Sequence, residues 1–258
     1  MRLDQELVRR GLAASRNKAQ ELIRSGRVSL DGQIVVKAAE PVAEQSNLLV
    51  AGSQWVSRAA LKLLGALEDS AMPVSGRALD AGASTGGFTQ VLLERGAKQV
   101  YAVDVGHDQL ADQIRCDPRV HVREGLNLRD LKISDLDDEQ VDVLVCDVSF
   151  ISLRLILAPM LATLCAEGNA LLMIKPQFEV GRERLGSGGV VRDEQLRSAA
   201  IGDVLAEAEQ LGWRSHWRAD SKLAGQSGNV EHFVWLRKAS VKQDQQDPCG
   251  CRYPQPSL

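Results

Sequence analysis

The chain has 258 residues, of which 44% are hydrophobic and 25% are charged, an ordinary balance for a soluble globular protein. It contains no apolar run suited to a signal peptide or a membrane span, so we expect a cytoplasmic protein that does not act on membranes. Its five cysteines are not spaced as paired metal ligands, and we therefore expect reduced cysteines and no metal site.

The net charge of −3 conceals an uneven distribution along the chain. Residues 1–37 contain eight basic and four acidic side chains, so this piece carries +4 and the remainder carries −7. A basic module attached to an acidic body indicates that the first part binds a polyanion.

The first 50 residues predict two short helices and a hairpin. Leu3 to Leu12 has helical apolar spacing, Ser15 is placed to cap a second helix from Arg16 to Ser25, and Asp31-Gly32 is a two-residue hairpin turn. This pattern resembles the α-L RNA-binding domain. The resemblance implies phosphate contacts from the basic side chains of this region: Arg9, Arg10, Arg16, Lys18, Arg24 and Arg27. The alternative is an ordinary solvated face.

A connector at residues 53–57 separates the domain at 1–52 from a larger one at 58–238. The larger domain opens with a helix over residues 58–69, in which Lys62 falls early. Taken alone, Lys62 has no role beyond solubility.

Three glycines follow the first strand of the larger domain, in the run from Leu79 to Phe88. The residues before this run form a buried strand and those after it a helix, so the glycines lie at a strand-to-helix turn. The spacing is not Gly-x-Gly-x-x-Gly, and the acid Asp80 would repel a pyrophosphate but suit a cationic ligand such as the amino group of S-adenosylmethionine. The run resembles the first motif of class I methyltransferases, which implies these cofactor contacts: Asp80, Gly82, Ala83, Ser84, Thr85 and Gly86. The alternative is a glycine turn that binds nothing.

Further polar residues end the next strands. Asp104 closes the second strand, about 20 residues after the glycines, where an acid accepts hydrogen bonds from ribose hydroxyls. Asn127 or Asp130, beyond a third strand at 119–123, would reach the adenine edge. Strands, helices and a crevice in this order predict an α/β, Rossmann-like, mostly parallel doubly wound sheet.

The later elements contribute a second set of polar residues. Strands at 141–147 and 169–175 end in Asp147 and Lys175, and a lysine beside four apolar residues is costly to bury without a purpose. Between them we predict a helix over 153–165. A loop at 181–189, a helix at 193–212, strands at 213–219 and 230–236 and a disordered tail at 239–258 complete the chain. We expect three residues after the fourth strand to contact RNA: Phe150, Arg182 and Arg184.

Four separated residues, Lys62, Asp147, Lys175 and Glu231, resemble the Lys-Asp-Lys-Glu tetrad of FtsJ-like ribose 2′-O-methyltransferases. With the amino-terminal domain, the chain up to about residue 238 resembles the TlyA family. That resemblance implies S-adenosylmethionine-dependent methylation of cytidine ribose in ribosomal RNA of the small subunit, the large subunit or both. Ribosomal RNA or subunits would be the partner, with no obligate protein partner evident. Lys175 would act as general base or alkoxide stabiliser, and the other three residues would orient it. Asp147 would also contact the cofactor.

Two other classes of function remain open at this point. One is a membrane-active cytolysin, a label historically attached to the family, which leakage of liposomes would reveal. The other is a protein that holds RNA and S-adenosylmethionine without turnover, which labelled methyl transfer to ribosomal subunits would distinguish from an enzyme.

Overall fold

The structure is a computed structural model that describes residues 1–13, 15–43, 45–50, 55–185, 188–225 and 228–239, without the side chain of residue 182. Residues 53 and 54 of the predicted connector and residues 240–258 of the predicted tail lie outside the described residues.

The amino-terminal unit contains two helices and a three-stranded sheet of order β2-β1-β3. Its elements are α1 Leu3–Arg9, α2 Arg16–Arg24, β1 Val28–Leu30, β2 Gln33–Ile34 and β3 Leu48–Val50. The capping and turn signals of the sequence are confirmed: the Ser15 side chain accepts the Lys18 N–H, and both Asp31 and Gly32 have positive φ, at 50° and 83°. One apolar cluster, which includes Leu3, Leu7 and Ile23, forms the core of this unit.

The larger unit is built on a seven-stranded sheet of order β6-β5-β4-β7-β8-β10-β9. The strands are β4 Gly76–Ala81, β5 Ala97–Asp104, β6 Val120–Glu124, β7 Val141–Cys146, β8 Leu164–Ile174, β9 Trp213–Asp220 and β10 His232–Lys238. The first five strands of this set pair in parallel, whereas β10 is antiparallel to both β8 and β9. The predicted α/β, mostly parallel, doubly wound sheet is therefore confirmed.

Helices cover both faces of this sheet. They are α3 Ala59–Ser70, α4 Gly87–Glu94, α5 Asp112–Arg115, α6 Leu157–Ala162, α7 Pro176–Glu179 and α8 Glu194–Gln210. One core cluster packs α3 and α4 against one face, and a second packs α6 and α8 against the other. Strand order reverses at β4, which has β5 on one side and β7 on the other, and ligands of open α/β sheets bind at the carboxyl end of such a switch point.

Two local predictions were wrong. The helix expected over 153–165 is a single 3-10 turn followed by the short α6, and β8 begins at Leu164 instead of residue 169. Leu164 pairs with Val141 of β7, so sheet pairing takes residues 164–168 that have no strong strand pattern of their own. Among the described residues no helix is long and apolar enough to cross a bilayer.

Candidate active site

The predicted site residues of the larger unit gather at the carboxyl ends of the parallel strands. Asp80 lies near the end of β4 and Asp104 ends β5, while Asp147 and Lys175 directly follow β7 and β8. The backbone N–H of Asp147 donates to the carbonyl of Ala81 at 3.1 Å, so the segment after β7 adjoins the glycine turn. The register of the parallel strands thus brings together side chains that are far apart in sequence.

The glycine turn takes a conformation that demands its glycines. Gly82 and Gly86 have φ of 88° and 90°, and a side chain on Gly82 would come within 2.9 Å of the Asp147 carbonyl. Gly87 has no such φ, but a Cβ there would overlap the Ser57 hydroxyl and lie 3.1 Å from the Ala60 nitrogen. The glycines therefore have two roles: Gly82 lets the turn pack closely on the segment after β7, and Gly87 lets α3 and α4 come into close contact.

Asp80 is wholly buried beneath this turn. One carboxylate oxygen accepts the Thr89 hydroxyl at 2.6 Å, and the other, Oδ1, is buried with no hydrogen-bond partner among the described residues. Burial raises the pKa of Asp80 to about 7, and the nearby charges of Asp147 and Asp104 act in the same direction. A buried acid with an unused oxygen is an electrostatic site for a cation.

Asp104 braces the opposite side of the turn. Its two oxygens accept the backbone N–H groups of Ser84 and Gly106, each at 2.8 Å. The next residue, Val105, is a 67% exposed apolar side chain that was not predicted as a site residue, although a valine directly after a strand-ending acid was the available signal. Asn127 is half-buried beyond β6 and accepts the Arg129 N–H at 3.0 Å.

The four residues of the predicted tetrad form two ion pairs. Lys62 pairs with Glu231, and their side chains are 7% and 4% exposed. Lys175 pairs with Asp147 at 2.6 Å, with side chains 10% and 16% exposed. Lys62 is not a solvated surface lysine, because its side chain is buried on the sheet side of α3 and its charge is compensated there.

The pairing of β8 with β10 places the two pairs side by side. His232 lies opposite Ile174 at the end of this antiparallel ladder, so Glu231 and Lys175 are the next residues on the two chains. Phe233 and Met173 lie two residues away from Glu231 and Lys175 and therefore share their face of the sheet, which is the α3 side. Lys62 meets Glu231 on this side.

Arg58 joins this group to the amino-terminal unit and was not predicted as a site residue. Its guanidinium donates to the Arg9 carbonyl at 2.6 Å, and its side chain packs so closely on Gly11 that a Cβ there would be 2.8 Å from the arginine Cδ. Burial lowers the pKa of Arg58, and the charges of Glu231 and Asp147 oppose that shift. A signal existed in the sequence, since Arg58 precedes Lys62 by one helical turn.

Two further residues border Lys175. The Ser149 hydroxyl accepts a hydrogen bond from the Lys175 amine at 2.8 Å. Phe150 is 91% exposed, has a φ of 65° and packs at 5.1 Å against the ring of Phe178. An exposed aromatic ring on a strained backbone beside two buried ion pairs is a marked feature of this surface.

The basic residues predicted to contact RNA differ in their surroundings. Arg9 and Arg10 both pair with the buried carboxylate of Glu6, at 2.5 and 2.6 Å, and the pKa of Glu6 falls to about 2, chiefly through its hydrogen bond with Arg9. These two arginines therefore help to hold the small unit together. The other predicted contacts for which side chains are described are exposed: Arg16, Lys18, Arg24, Arg27 and Arg184. Arg182 lies in a short 3-10 turn, and its side chain is outside the described residues.

Within the described ranges, no group of three or more histidine, cysteine or acidic side chains has the arrangement of a metal site. The chemistry of this crevice is that of amines, carboxylates, a hydroxyl and backbone amides.

Comparison with known proteins gives two family matches that divide the chain. Residues 55–238 match the FtsJ-like methyltransferase family, and residues 1–47 match the S4 domain. A Mycobacterium tuberculosis protein, 16S/23S rRNA (cytidine-2′-O)-methyltransferase TlyA, is 50% identical over 92% of this chain and 89% of its own length. Hemolysin A of Brachyspira hyodysenteriae is 38% identical over 91% of this chain and all of its own. A solved Streptococcus thermophilus structure with a provisional hemolysin name has 36% identity and a TM-score of 0.77, covering 93% of this chain and 89% of its own.

Proposed function

Because this chain belongs to the FtsJ-like methyltransferase family and carries an S4 domain, we propose that it transfers a methyl group from S-adenosylmethionine to a cytidine ribose 2′-oxygen in ribosomal RNA. The observation that carries the proposal is the juxtaposition of two buried lysine–carboxylate pairs beside the glycine turn. The name of the M. tuberculosis relative supports the choice of cytidine and of ribosomal RNA.

The residues around the glycine turn fit S-adenosylmethionine. Asp80 offers a buried negative charge with an unused oxygen, and Gly82 lets the backbone of the turn pack directly against the Asp147 carbonyl, where a side chain would collide. We assign Asp104 to the ribose hydroxyls and Asn127 to the adenine edge, with Val105 as an apolar surface for the base. Ala83, Ser84, Thr85 and Gly86 line the same turn. When bound, S-adenosylmethionine supplies a methyl group on a positively charged sulfur that leaves as a thioether.

The ribose 2′-hydroxyl is a poor nucleophile at neutral pH and requires help from the protein. We assign this help to Lys175, whose amine takes the hydroxyl proton or stabilises the forming alkoxide. Asp147 holds this amine at 2.6 Å, and Glu231 holds Lys62 on the adjoining side. Because both lysines are paired in a buried site, their positions are fixed before the substrate arrives.

Recognition of the RNA is assigned to both units. Phe150 presents a 91% exposed ring next to Ser149 and Lys175, which suits stacking on an unstacked base. The exposed basic residues of the small unit suit contacts with phosphates, which position RNA without reading its sequence. We retain 1–52 as the RNA-binding domain, 53–57 as the connector and 58–238 as the methyltransferase domain.

The test is methylation of separate small and large ribosomal subunits with labelled cofactor, followed by mapping of the product. A 2′-O-methyl group removes the nucleophile for alkaline cleavage, so the labelled nucleotide should remain in an alkali-resistant dinucleotide. Lys175→Ala should abolish transfer while cofactor binding, measured by calorimetry, stays within about twofold of wild type, because Lys175 acts on the ribose.

The matched control is Lys98→Ala, which removes an exposed lysine at the other end of β5 and should leave the rate unchanged. An active Lys175→Ala enzyme would remove this lysine from the mechanism. A label recovered on a base, or no label on either subunit, would refute the proposed reaction.

A further inference from the structure

The Lys175 amine contacts a residue outside the tetrad, Ser149. The amine nitrogen carries one bond to carbon and has three other tetrahedral directions. The amine donates to the Ser149 hydroxyl at 2.8 Å. Its contact with Asp147 Oδ1 at 2.6 Å is an ion pair, and that oxygen forms no hydrogen bond among the described residues. The Ser149 hydroxyl is therefore the acceptor that gives the amine a direction, and in the neutral amine this direction decides where the lone pair that would accept the ribose proton lies.

We propose that Ser149 is a positioning residue for Lys175, and that Glu179 holds Ser149 in place. This proposal rests on the proposed function and deepens it. Without the hydroxyl, the Lys175 side chain can rotate about its last bond, and its amine no longer points towards the ribose 2′-hydroxyl. Asp147 alone provides one contact, which fixes a distance but not a direction.

Glu179 ties together the two segments that carry these residues. Glu179 is the last residue of α7, four residues after Lys175, and is 7% exposed. One of its oxygens accepts the Ser152 hydroxyl at 2.5 Å, and the other accepts the Leu153 N–H at 2.8 Å. The segment after β7 is therefore fastened to the segment after β8 at both ends, by Lys175 at one and by Glu179 at the other.

The backbone between Ser149 and Ser152 requires such fastening. Phe150 has a φ of 65°, a region that side chains other than glycine enter at a cost. A strained conformation persists only where surrounding contacts stabilise it. Here the stabilising contacts are the two hydrogen bonds to Glu179 and the packing of the Phe150 ring on the Phe178 ring. Release of Glu179 would let the backbone relax and carry the Ser149 hydroxyl away from the amine.

A purely structural role for Ser149 predicts a different outcome on mutation. Ser149 is exposed, so alanine there opens no cavity and should leave the unfolding temperature unchanged. If the hydroxyl orients the amine, Ser149→Ala should lower kcat. The KM for S-adenosylmethionine should not change, because the cofactor contacts are made by other residues.

The experiment measures kcat, both KM values, cofactor affinity and thermal unfolding of the full-length enzyme on its ribosomal subunit. Ser149→Ala should lower kcat about ten- to hundredfold, the worth of one hydrogen bond to a charged or reacting group. Ser149→Thr should restore most of that loss, and Ser134→Ala, which removes an exposed hydroxyl elsewhere, should match wild type. Glu179→Gln should stay close to wild type because an amide can serve both partners, whereas Glu179→Ala should lose kcat as Ser149→Ala does.

Wild-type kcat in Ser149→Ala, or a loss that threonine does not restore, would overturn the role of Ser149. Equal losses in Glu179→Gln and Glu179→Ala would overturn the hydrogen-bonded clamp. A wild-type enzyme that methylates no ribose would overturn the proposed function and this proposal together, so the two failures are distinguishable.

Discussion

The buried carboxyl of Asp80 should make cofactor binding depend on pH near neutrality. Its pKa is raised to about 7 because burial disfavours the charged form. Only the ionised form attracts the cationic cofactor, and about a tenth of the protein is ionised at pH 6 against about nine-tenths at pH 8. The apparent Kd for S-adenosylmethionine should therefore fall about tenfold between these values.

The perturbation that isolates this effect is Asp80→Asn. Its side-chain oxygen can still accept the Thr89 hydroxyl, but its charge is zero at every pH. Calorimetric titrations at pH 6, 7 and 8 and constant ionic strength should show weak, level affinity for the variant and rising affinity for wild type. A wild-type affinity that does not change with pH, or a variant that changes as much as wild type, would refute the reasoning.

The same carboxyl should affect stability, with a sign that can be worked out. The unfolded chain releases the Asp80 proton near the ordinary aspartate pKa of 3.8, whereas the folded protein holds it up to about 7. Stability contributed by this group therefore falls as pH rises between these values and is level above them, with a total on the order of 4 kcal/mol. In urea unfolding, the free energy of unfolding of Asp80→Asn should rise relative to that of wild type as pH is raised from 5 to 8. A difference between the two that does not change with pH would contradict this expectation.

Two further substitutions test the packing around the site. Lys62→Met leaves the buried Glu231 carboxylate without its partner, so urea unfolding should show a loss of roughly 3–5 kcal/mol, and a smaller change would mean that water reaches the pair. Gly87→Ala places a methyl group against the Ser57 hydroxyl and the Ala60 nitrogen and should cost about 1–3 kcal/mol. Its control is Gly202→Ala in α8, where a Cβ meets nothing within 4 Å. There the higher helix propensity of alanine should raise the free energy of unfolding by roughly 0.5–1 kcal/mol. Equal effects at the two glycines would exclude the steric argument.

Much of the fold could be predicted because its signals are local. Helical apolar spacing, the Ser15 cap and the Asp31-Gly32 turn need only a few neighbouring residues to be read, and the structure contains each of them. The glycine run likewise predicted the bend between β4 and α4. Prediction failed at residues 164–168, where the choice of strand depends on pairing with β7.

The sequence by itself supplied the residue types of the site, because an acid or a lysine directly after an apolar strand is visible without coordinates. Family resemblance singled out Lys62, but its own position in the helix pattern did not, and nothing in the sequence pointed to Ser149 or Glu179. Lys62 and Glu231 are 169 residues apart, and only the packing of α3 on the sheet and the pairing of β10 with β8 bring them together. Which charges are buried, and which partner compensates each, is decided by tertiary structure because burial and distance are properties of the folded chain.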